Sequence, residues 1–182
     1  MAQPVPRWYP AAVGEIRVPA PAKLIVGILA GGASAIPRAE LEARFGPVDL
    51  ESGEIPFRFT DYYEAEMGRD LVRKFLSFAR PIDPSDLPAI KRWTNELEGP
   101  PPRRVNLDPG YVTTSKLVLA TTKDHAHRVY LADGIHAEVT LIWTKGSFVP
   151  REWTYPDYRT PEYVSFFNAV RESLRASGRP NS

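Results

Sequence analysis

The sequence predicts a single α+β domain, in which a mixed β-sheet carries helices mainly on one face. Three observations support this prediction. Short apolar runs typical of strands alternate with segments of helical periodicity. The dipeptide Asp133-Gly134 marks a hairpin in the second half, and a further helical segment follows it. The first six predicted elements also follow the ferredoxin-like order of strand, helix, strand, strand, helix, strand.

The first predicted strand covers residues 23–31, a short apolar run that ends in glycine. Pro37 suits the first turn of a short helix, and Gly46 suits its end. Leu41 and Phe45 are four residues apart, so they share one face of this helix. That face is predicted to be buried against the sheet.

The next two strands and the clearest helix follow. Residues 55–59 alternate apolar and polar side chains, which is typical of a half-buried strand. Residues 71–82 fit a strand or a helix, and the prolines that follow favour a strand. Asp83 and Pro84 are typical of a helix start, and Gly99 followed by prolines is typical of its end.

The stretch that follows contains the predicted site. Residues 104–107 form a short strand, and the sequence Asp-Pro-Gly at 108–110 predicts a turn that ends it. Residues 114–123 fit either a helix or a strand. The last helix begins at Thr160-Pro161 and buries an apolar stripe.

Strict alternation from the Asp133-Gly134 loop divides the hairpin side chains between two faces. The apolar face, expected in the core, contains Tyr130, Ile135, Ala137, Val139, Leu141 and Trp143. The polar face contains His127, His136, Glu138 and Thr140. It fits a solvated sheet face, the polar floor of a binding site, or a metal site, although no established ligand motif matches the last. The same alternation points Arg128 toward the core face.

The composition limits the possible classes of protein. The 182 residues carry a net charge of +1, so nucleic-acid binding is not expected. The absence of cysteine excludes disulfides and cysteine-based zinc sites. No apolar run reaches the roughly 18 residues of a membrane helix, so we expect a cytoplasmic protein with no membrane association. Residues 1–22 predict a proline-rich arm, residues 23–176 the globular domain and residues 177–182 a flexible tail.

The candidate site residues lie between positions 108 and 138. Lys116, Lys123 and Arg128 offer cationic donors for a phosphate or carboxylate, and Tyr111 offers an orienting contact. The carboxylates suited to acid–base work are Asp108, Asp124 and Glu138. The alternative interpretation is a structural turn with solvated lysines. The glycine-rich run at 27–34 lacks the lysine and Ser/Thr of a phosphate-binding P-loop, and no metal site is assigned.

Two further segments admit a structural and a functional interpretation. The aromatic segment "EWTYPDYRTPEY", residues 152–163, fits a rigid loop at the edge of the core or an aromatic wall for a ligand ring. The segment at 59–68 carries three carboxylates that fit a solvated acidic face or a divalent-cation site. For both segments the structural interpretation is favoured.

Several long segments resemble a known family. They are "FTDYYEAEMG", "IKRWTNELE", "RRVNLDPGYVTTSKLVLATTKDHAHRVYL", "GIHAEVTL" and "WTYPDYR". Together they resemble the bacterial family called domain of unknown function 4416, from about Lys23 to about Arg175. The resemblance implies a cytoplasmic single domain, and it implies no established activity.

Two function hypotheses follow from the residues. The first is binding or turnover of a small anionic ligand, phosphorylated or nucleotide-like, in a polar pocket shared by Asp108, Lys123, Asp124 and Glu138. The second is a non-enzymatic protein-interaction module that uses the proline-rich arm and the acidic segment 39–70, which has nine acidic residues against three arginines. RNA binding is the weakest alternative, given only a small basic excess. The sequence assigns no reaction, no cofactor and no oligomeric state.

Overall fold

The computed structural model describes residues 18–31 and 36–177. Most of the predicted arm, most of the predicted tail and part of the glycine-rich run lie outside these ranges. The strands are β1 (Ala22–Ala30), β2 (Val48–Glu51), β3 (Ile55–Pro56), β4 (Val72–Ile82), β5 (Val105–Val112), β6 (Lys116–Thr121), β7 (Val129–Ala132), β8 (Ile135–Thr144) and β9 (Ser147–Pro150). The helices are α1 (Arg38–Phe45), α2 (Glu64–Met67), α3 (Leu87–Glu98) and α4 (Pro161–Ser177).

The nine strands form one sheet in the order β2-β4-β1-β5-β6-β8-β7, with β3 on β4 and β9 on β8. The predicted α+β class is confirmed, but every strand pair in the described ranges is antiparallel, so the sheet is not mixed. The reason lies in the two helical crossovers. The α1 crossover leads from β1 to β2, which β4 separates from β1, and the α3 crossover leads from β4 to β5, which β1 separates from β4. Strands joined by these helices therefore never become neighbours.

The sheet has a core on each face, and β1 contributes to both. Leu24, Val26 and Ile28 pack with buried side chains of α1 and α3 on one face. Ile25 packs on the other face with Phe75 and the aromatic side chains of α4. Burial on both faces explains why β1 is a continuous apolar run rather than an alternating one. The longest helix, α4, therefore covers the face opposite α1 and α3.

The predicted turn at Asp108-Pro109-Gly110 is wrong, because these residues continue β5. β5 pairs with β1 along its whole length, whereas its pairing with β6 begins only at Gly110. Backbone polar groups alternate in direction along a strand. Those of Leu107 point away from β1, so the nitrogen of Pro109 does so too. The Pro109 nitrogen therefore faces the side of β5 where no strand is yet paired. Proline is tolerated there because no backbone N–H is needed for a hydrogen bond.

Other local predictions have mixed outcomes. The ambiguous segments 71–82 and 114–123 are both strands. The hairpin turn is confirmed, and both Asp133 (φ 53°) and Gly134 (φ 74°) have the positive φ that this two-residue turn requires. Regular pairing outward from the Asp133-Gly134 turn would place Val129 opposite Glu138, but an irregularity in β7 shifts the register and Val129 pairs with Ala137. Tyr130, expected in the core, is 60% exposed.

The predicted faces of β8 also change along the strand. Leu117 pairs with Leu141, and the next residue of β6, Val118, pairs with Val139. Thr140 is thus an extra residue of β8, a β-bulge. As a result Leu141 and Trp143 join the core beneath α4, whereas Ile135, Ala137 and Val139 face the N-terminal part of α3.

Candidate functional site

A gap opens in the sheet where β5 and β6 separate. The two strands pair over three residues of each and then diverge, β5 beside β1 and β6 beside β8. The backbone of Leu107 faces this gap. Its N–H donates to Glu98 Oε1 at 2.7 Å, and its carbonyl oxygen accepts from Lys91 Nζ at 2.7 Å. Two side chains of α3 therefore provide the hydrogen bonds that a neighbouring strand would otherwise supply.

Gly110 marks the point where the two strands touch. A Cβ atom at this position would lie 2.4 Å from the carbonyl oxygen of Val118 and 2.7 Å from Leu119 Cδ2. Such distances are too short for carbon, so only glycine fits without moving β6. The glycine that suggested a turn in the sequence is required for this close approach of two backbones.

A cavity of about 700 Å³ lies at the gap. Its size is typical of small-molecule sites. Its walls come from the loop at 57–63, from β4, α3, β5, β6 and β8, and from the segment at 155–158. Segments that are distant in the sequence therefore meet around one hollow.

The structure brings four of the seven predicted site residues to this cavity. Asp108, Lys123, Arg128 and Glu138 line it. The other three lie elsewhere. Asp124 has an 80% exposed side chain near His136, Tyr111 packs against the small cluster beneath α3, and Lys116 begins β6 at its far end.

Asp108 is the carboxylate at the cavity floor. Its Oδ2 accepts from Arg73 Nη1 and from Asn106 Nδ2, each at 2.9 Å, and Lys91 Nζ lies 3.8 Å from Oδ1. Burial alone would raise the pKa of Asp108, but the charges of Arg73 and Lys91 outweigh it and hold the pKa below its usual range. Asp108 is therefore an ionised hydrogen-bond acceptor at neutral pH.

A second carboxylate, Asp157, shares the same buried arginine. Its Oδ2 lies 3.7 Å from Arg73 Nη2, farther than Asp108 is from Nη1. Burial raises the pKa of Asp157, and the charge of Arg73 offsets this only in part. The two carboxylates on either side of one guanidinium group are thus shifted in opposite directions.

Neither Arg73 nor Asp157 is among the site residues predicted from the sequence. One signal for Arg73 was available: alternation places it on the same face as buried Phe75, where an arginine requires a partner. Asp157 belongs to the aromatic segment 152–163, and no spacing in the sequence distinguishes it from a surface residue.

Glu138 is buried in a hydrogen-bonded group with Arg128 and His127. Its Oε2 accepts from Arg128 Nε at 2.9 Å and lies 3.1 Å from His127 Nε2, and its Oε1 accepts from Thr140 at 3.1 Å. Arg128, with a 3% exposed side chain, also donates to the carbonyl oxygen of Lys123 at 3.1 Å. Arg128 therefore bonds to Glu138, which alternation placed on the opposite face, so the predicted core-face direction of Arg128 is wrong. The reason is that β7 begins only at Val129, and strand alternation does not extend back to Arg128. The pair fixes the loop that carries Lys123. In the described residues no group of three metal-ligating side chains occurs.

Lys123 differs from the other charged residues that line the cavity. The cations are Arg73, Lys91, Arg103, Lys123 and Arg128, and the anions are Glu98, Asp108, Glu138 and Asp157. Counting partners only within residues 18–31 and 36–177, each of these lining charges has an oppositely charged partner except that of Lys123. Its Nζ lies 5.2 Å from the ring centre of Tyr62, which is 68% exposed at the mouth of the cavity.

The acidic segment 39–70 is partly neutralised within the fold. Asp49 pairs with the buried Lys23, and Glu51 pairs with Arg38 and Lys74. Glu66 pairs with Arg103, which also binds Glu98 of α3. Part of the negative charge that suggested a protein partner is therefore paired within the domain itself. None of the helices in the described ranges has the length and apolar character needed to cross a membrane.

Comparison with family models matches residues 20–174 to the family described as Domain of unknown function (DUF4416). The chain belongs to this family. Neither the curated proteins nor the solved structures contain a match. All residues that line the cavity lie within the matched range, so the cavity is part of the DUF4416 domain and not of its terminal extensions.

Proposed function

We propose that the cavity binds a small organic anion, with the anionic group held by Lys123. The charge of Lys123, which has no oppositely charged partner in the described part of the chain, carries the proposal, because the remaining lining charges are already compensated by neighbours. An ammonium group at the mouth of a cavity attracts a phosphate or a carboxylate without first having to break an ion pair.

Aromatic side chains at the mouth support a ligand with a flat ring. Tyr62, Phe59 and Tyr155 line the cavity and are all exposed there, although rings of this size are usually buried. Exposed rings around a binding site stack with planar groups of a ligand. A phosphorylated, nucleotide-like molecule has both the ring and the anion.

Turnover of such a ligand would require a group that exchanges a proton, and we assign this role to Asp157. Glu138 is tied to Arg128, and Asp108 is held in its ionised form by Arg73 and Lys91. The pKa of Asp157 is raised by burial. Two nearby carboxyl groups with opposite pKa shifts are a common arrangement for acid–base work.

Isothermal titration with phenyl phosphate and with adenosine monophosphate tests the binding. We expect Lys123→Ala to weaken both affinities by about tenfold or more, the effect of losing a hydrogen bond to a charged group. Lys116→Ala is the matched control, because Lys116 lies outside the cavity, and its affinities should equal those of the wild type. Equal affinities for wild type and Lys123→Ala would contradict the proposal.

A protein-interaction role is the second candidate, and the edge strand β7 favours it. β7 ends the sheet, and three of its four residues, Val129, Tyr130 and Leu131, are exposed and uncharged. Edge strands usually carry charges that prevent pairing. A second copy of the chain could pair its own β7 here. Sedimentation should then show a dimer that Tyr130→Lys dissociates, whereas a monomeric wild type at high concentration would exclude this pairing.

A further inference from the structure

The two oxygens of the Asp108 carboxylate are unequally used. Oδ2 accepts two hydrogen bonds, from Arg73 and Asn106. Oδ1 accepts none within the described part of the chain. Lys91 Nζ, 3.8 Å away, is beyond hydrogen-bond distance and donates to Leu107 instead. An ionised carboxylate has room for about four hydrogen bonds, so Asp108 can accept more.

The free oxygen belongs to a side chain that the cavity reaches. The Asp108 side chain is 28% exposed, whereas those of Arg73 and Lys91 are almost fully buried. Any donor that enters the cavity at this end therefore meets the carboxylate before it meets the cations behind it.

The surrounding charges determine what kind of donor fits. Arg73 and Lys91 already place two positive charges beside Asp108, so a ligand ammonium group would be repelled. Asn95 of α3 also lines the cavity, and its side-chain amide has no hydrogen bond among the described residues. A hydroxyl group suits both kinds of lining side chain, because it can donate to a carboxylate such as Asp108 and accept from an amide such as Asn95.

We infer that the ligand carries hydroxyl groups at the end opposite its anion, and that Asp108 Oδ1 accepts a hydrogen bond from one of them. This inference rests on the proposed function, since Lys123 holds the other end. The ligand class is then a hydroxylated phosphate, either a nucleotide bound through its ribose or a simpler sugar or polyol phosphate. The floor and the mouth of the cavity recognise different parts of one molecule.

Two pairs of ligands that differ in hydroxyl groups test the inference by isothermal titration of the full chain. The first pair is adenosine monophosphate and its 2′,3′-dideoxy analogue, and the second is glycerol 3-phosphate and propyl phosphate. We expect the hydroxylated member to bind about tenfold or more tightly, the effect of one hydrogen bond to a carboxylate. An effect in the first pair identifies a nucleotide, and an effect in the second alone identifies a polyol phosphate.

The variant Asp108→Asn should abolish the preference for hydroxylated ligands while Lys123-dependent binding of the phosphate persists. Asp124→Asn is the control, because this exposed carboxylate lies outside the cavity. If Asp108→Asn does not fold, the affinities of the two ligand pairs for the wild type test the inference on their own. Equal affinities within each pair, with both members still weakened by Lys123→Ala, would overturn the inference and leave the proposed function intact. Absence of binding by every phosphate would overturn both.

Discussion

The ammonium group of Lys91 lies 2.7 Å from the carbonyl oxygen of Leu107, at the point where the sheet divides. Sheets rarely leave backbone groups without partners, and a gap between strands therefore needs substitutes. Lys91 and Glu98 of α3 supply them on either side of the Leu107 peptide groups. The positive charge of the buried Lys91 is balanced by Asp108, the carboxylate at the cavity floor. The gap, the cavity and its charged floor are therefore consequences of one local arrangement.

Replacement of Lys91 by methionine tests this arrangement. Lys91→Met keeps the length of the side chain but leaves the Leu107 carbonyl unpaired and Asp108 without one of its cations. We expect a loss of about 1–3 kcal/mol in the free energy of unfolding, measured by urea denaturation. Arg92→Met, at the next position of α3, removes an exposed pair with Asp133 and should cost less than about 1 kcal/mol. Similar losses for both variants would show that Lys91 is not needed at the gap.

Gly110 provides a steric test of the same junction. In Gly110→Ala the new methyl group would meet the Val118 carbonyl, a backbone atom that cannot rotate away. Overpacking of this kind typically costs about 1–3 kcal/mol, and we expect at least that loss in thermal or urea unfolding. Gly53→Ala is the control, since a Cβ there would contact nothing within 4 Å. A Gly110→Ala variant as stable as Gly53→Ala would mean that β5 and β6 separate freely.

The parts of the fold that depend on neighbouring residues could be predicted from the sequence. The Asp133-Gly134 turn and the helix after Asp83 follow from local conformational preferences, and both are present. Features that depend on distant partners could not be predicted. The Asp-Pro-Gly sequence is compatible with a turn and also with a strand that is unpaired on one side. The conformation depends on the path of β6, which pairs with β5 only from Gly110 onward. The bulge at Thr140 likewise reverses faces that simple alternation keeps constant.

The same distinction applies to the site. Lys123 and Glu138 could be predicted because they lie on a hairpin that the sequence indicates and on its flank, where polar side chains are unusual enough to suggest a site. Arg73, Lys91 and Asp157 were missed because each acquires its role from a segment far away in the chain. In the sequence, Lys91 resembles any lysine of a helix, and its role follows only from its hydrogen bond to the carbonyl oxygen of Leu107.

Glu66 predicts a pH dependence of stability. Its hydrogen bonds from the side chain and the backbone N–H of Arg103 lower its pKa from 4.5 to about 2. Because the folded pKa lies below the unfolded one, the unfolded state takes up a proton first as the pH falls. The stabilisation is present above about pH 4.5 and is lost as the pH falls toward about 2.

The measurement is the melting temperature of wild type and Glu66→Gln from pH 7 to pH 2. The difference in melting temperature between the two proteins should be largest at neutral pH and should disappear as the pH falls below 4.5. Glu40→Gln, on the exposed face of α1, accounts for the general loss of one surface carboxylate. A difference in melting temperature that stays constant across this pH range would show that Glu66 stabilises the fold through packing and not through its charge.

Tyr62 predicts a selective effect on ligands that contain a ring. It lines the mouth beneath Lys123 and is 68% exposed, so its removal should leave stability within about 0.5 kcal/mol. Stacking of a base on an aromatic side chain contributes about 1–3 kcal/mol. Titration of Tyr62→Ala should therefore show weaker binding of adenosine monophosphate, by roughly fivefold or more, with unchanged binding of glycerol 3-phosphate. Tyr62→Phe keeps the ring and should bind both ligands like the wild type. An equal loss for both ligands would mean that Tyr62 acts by positioning Lys123 and not by stacking.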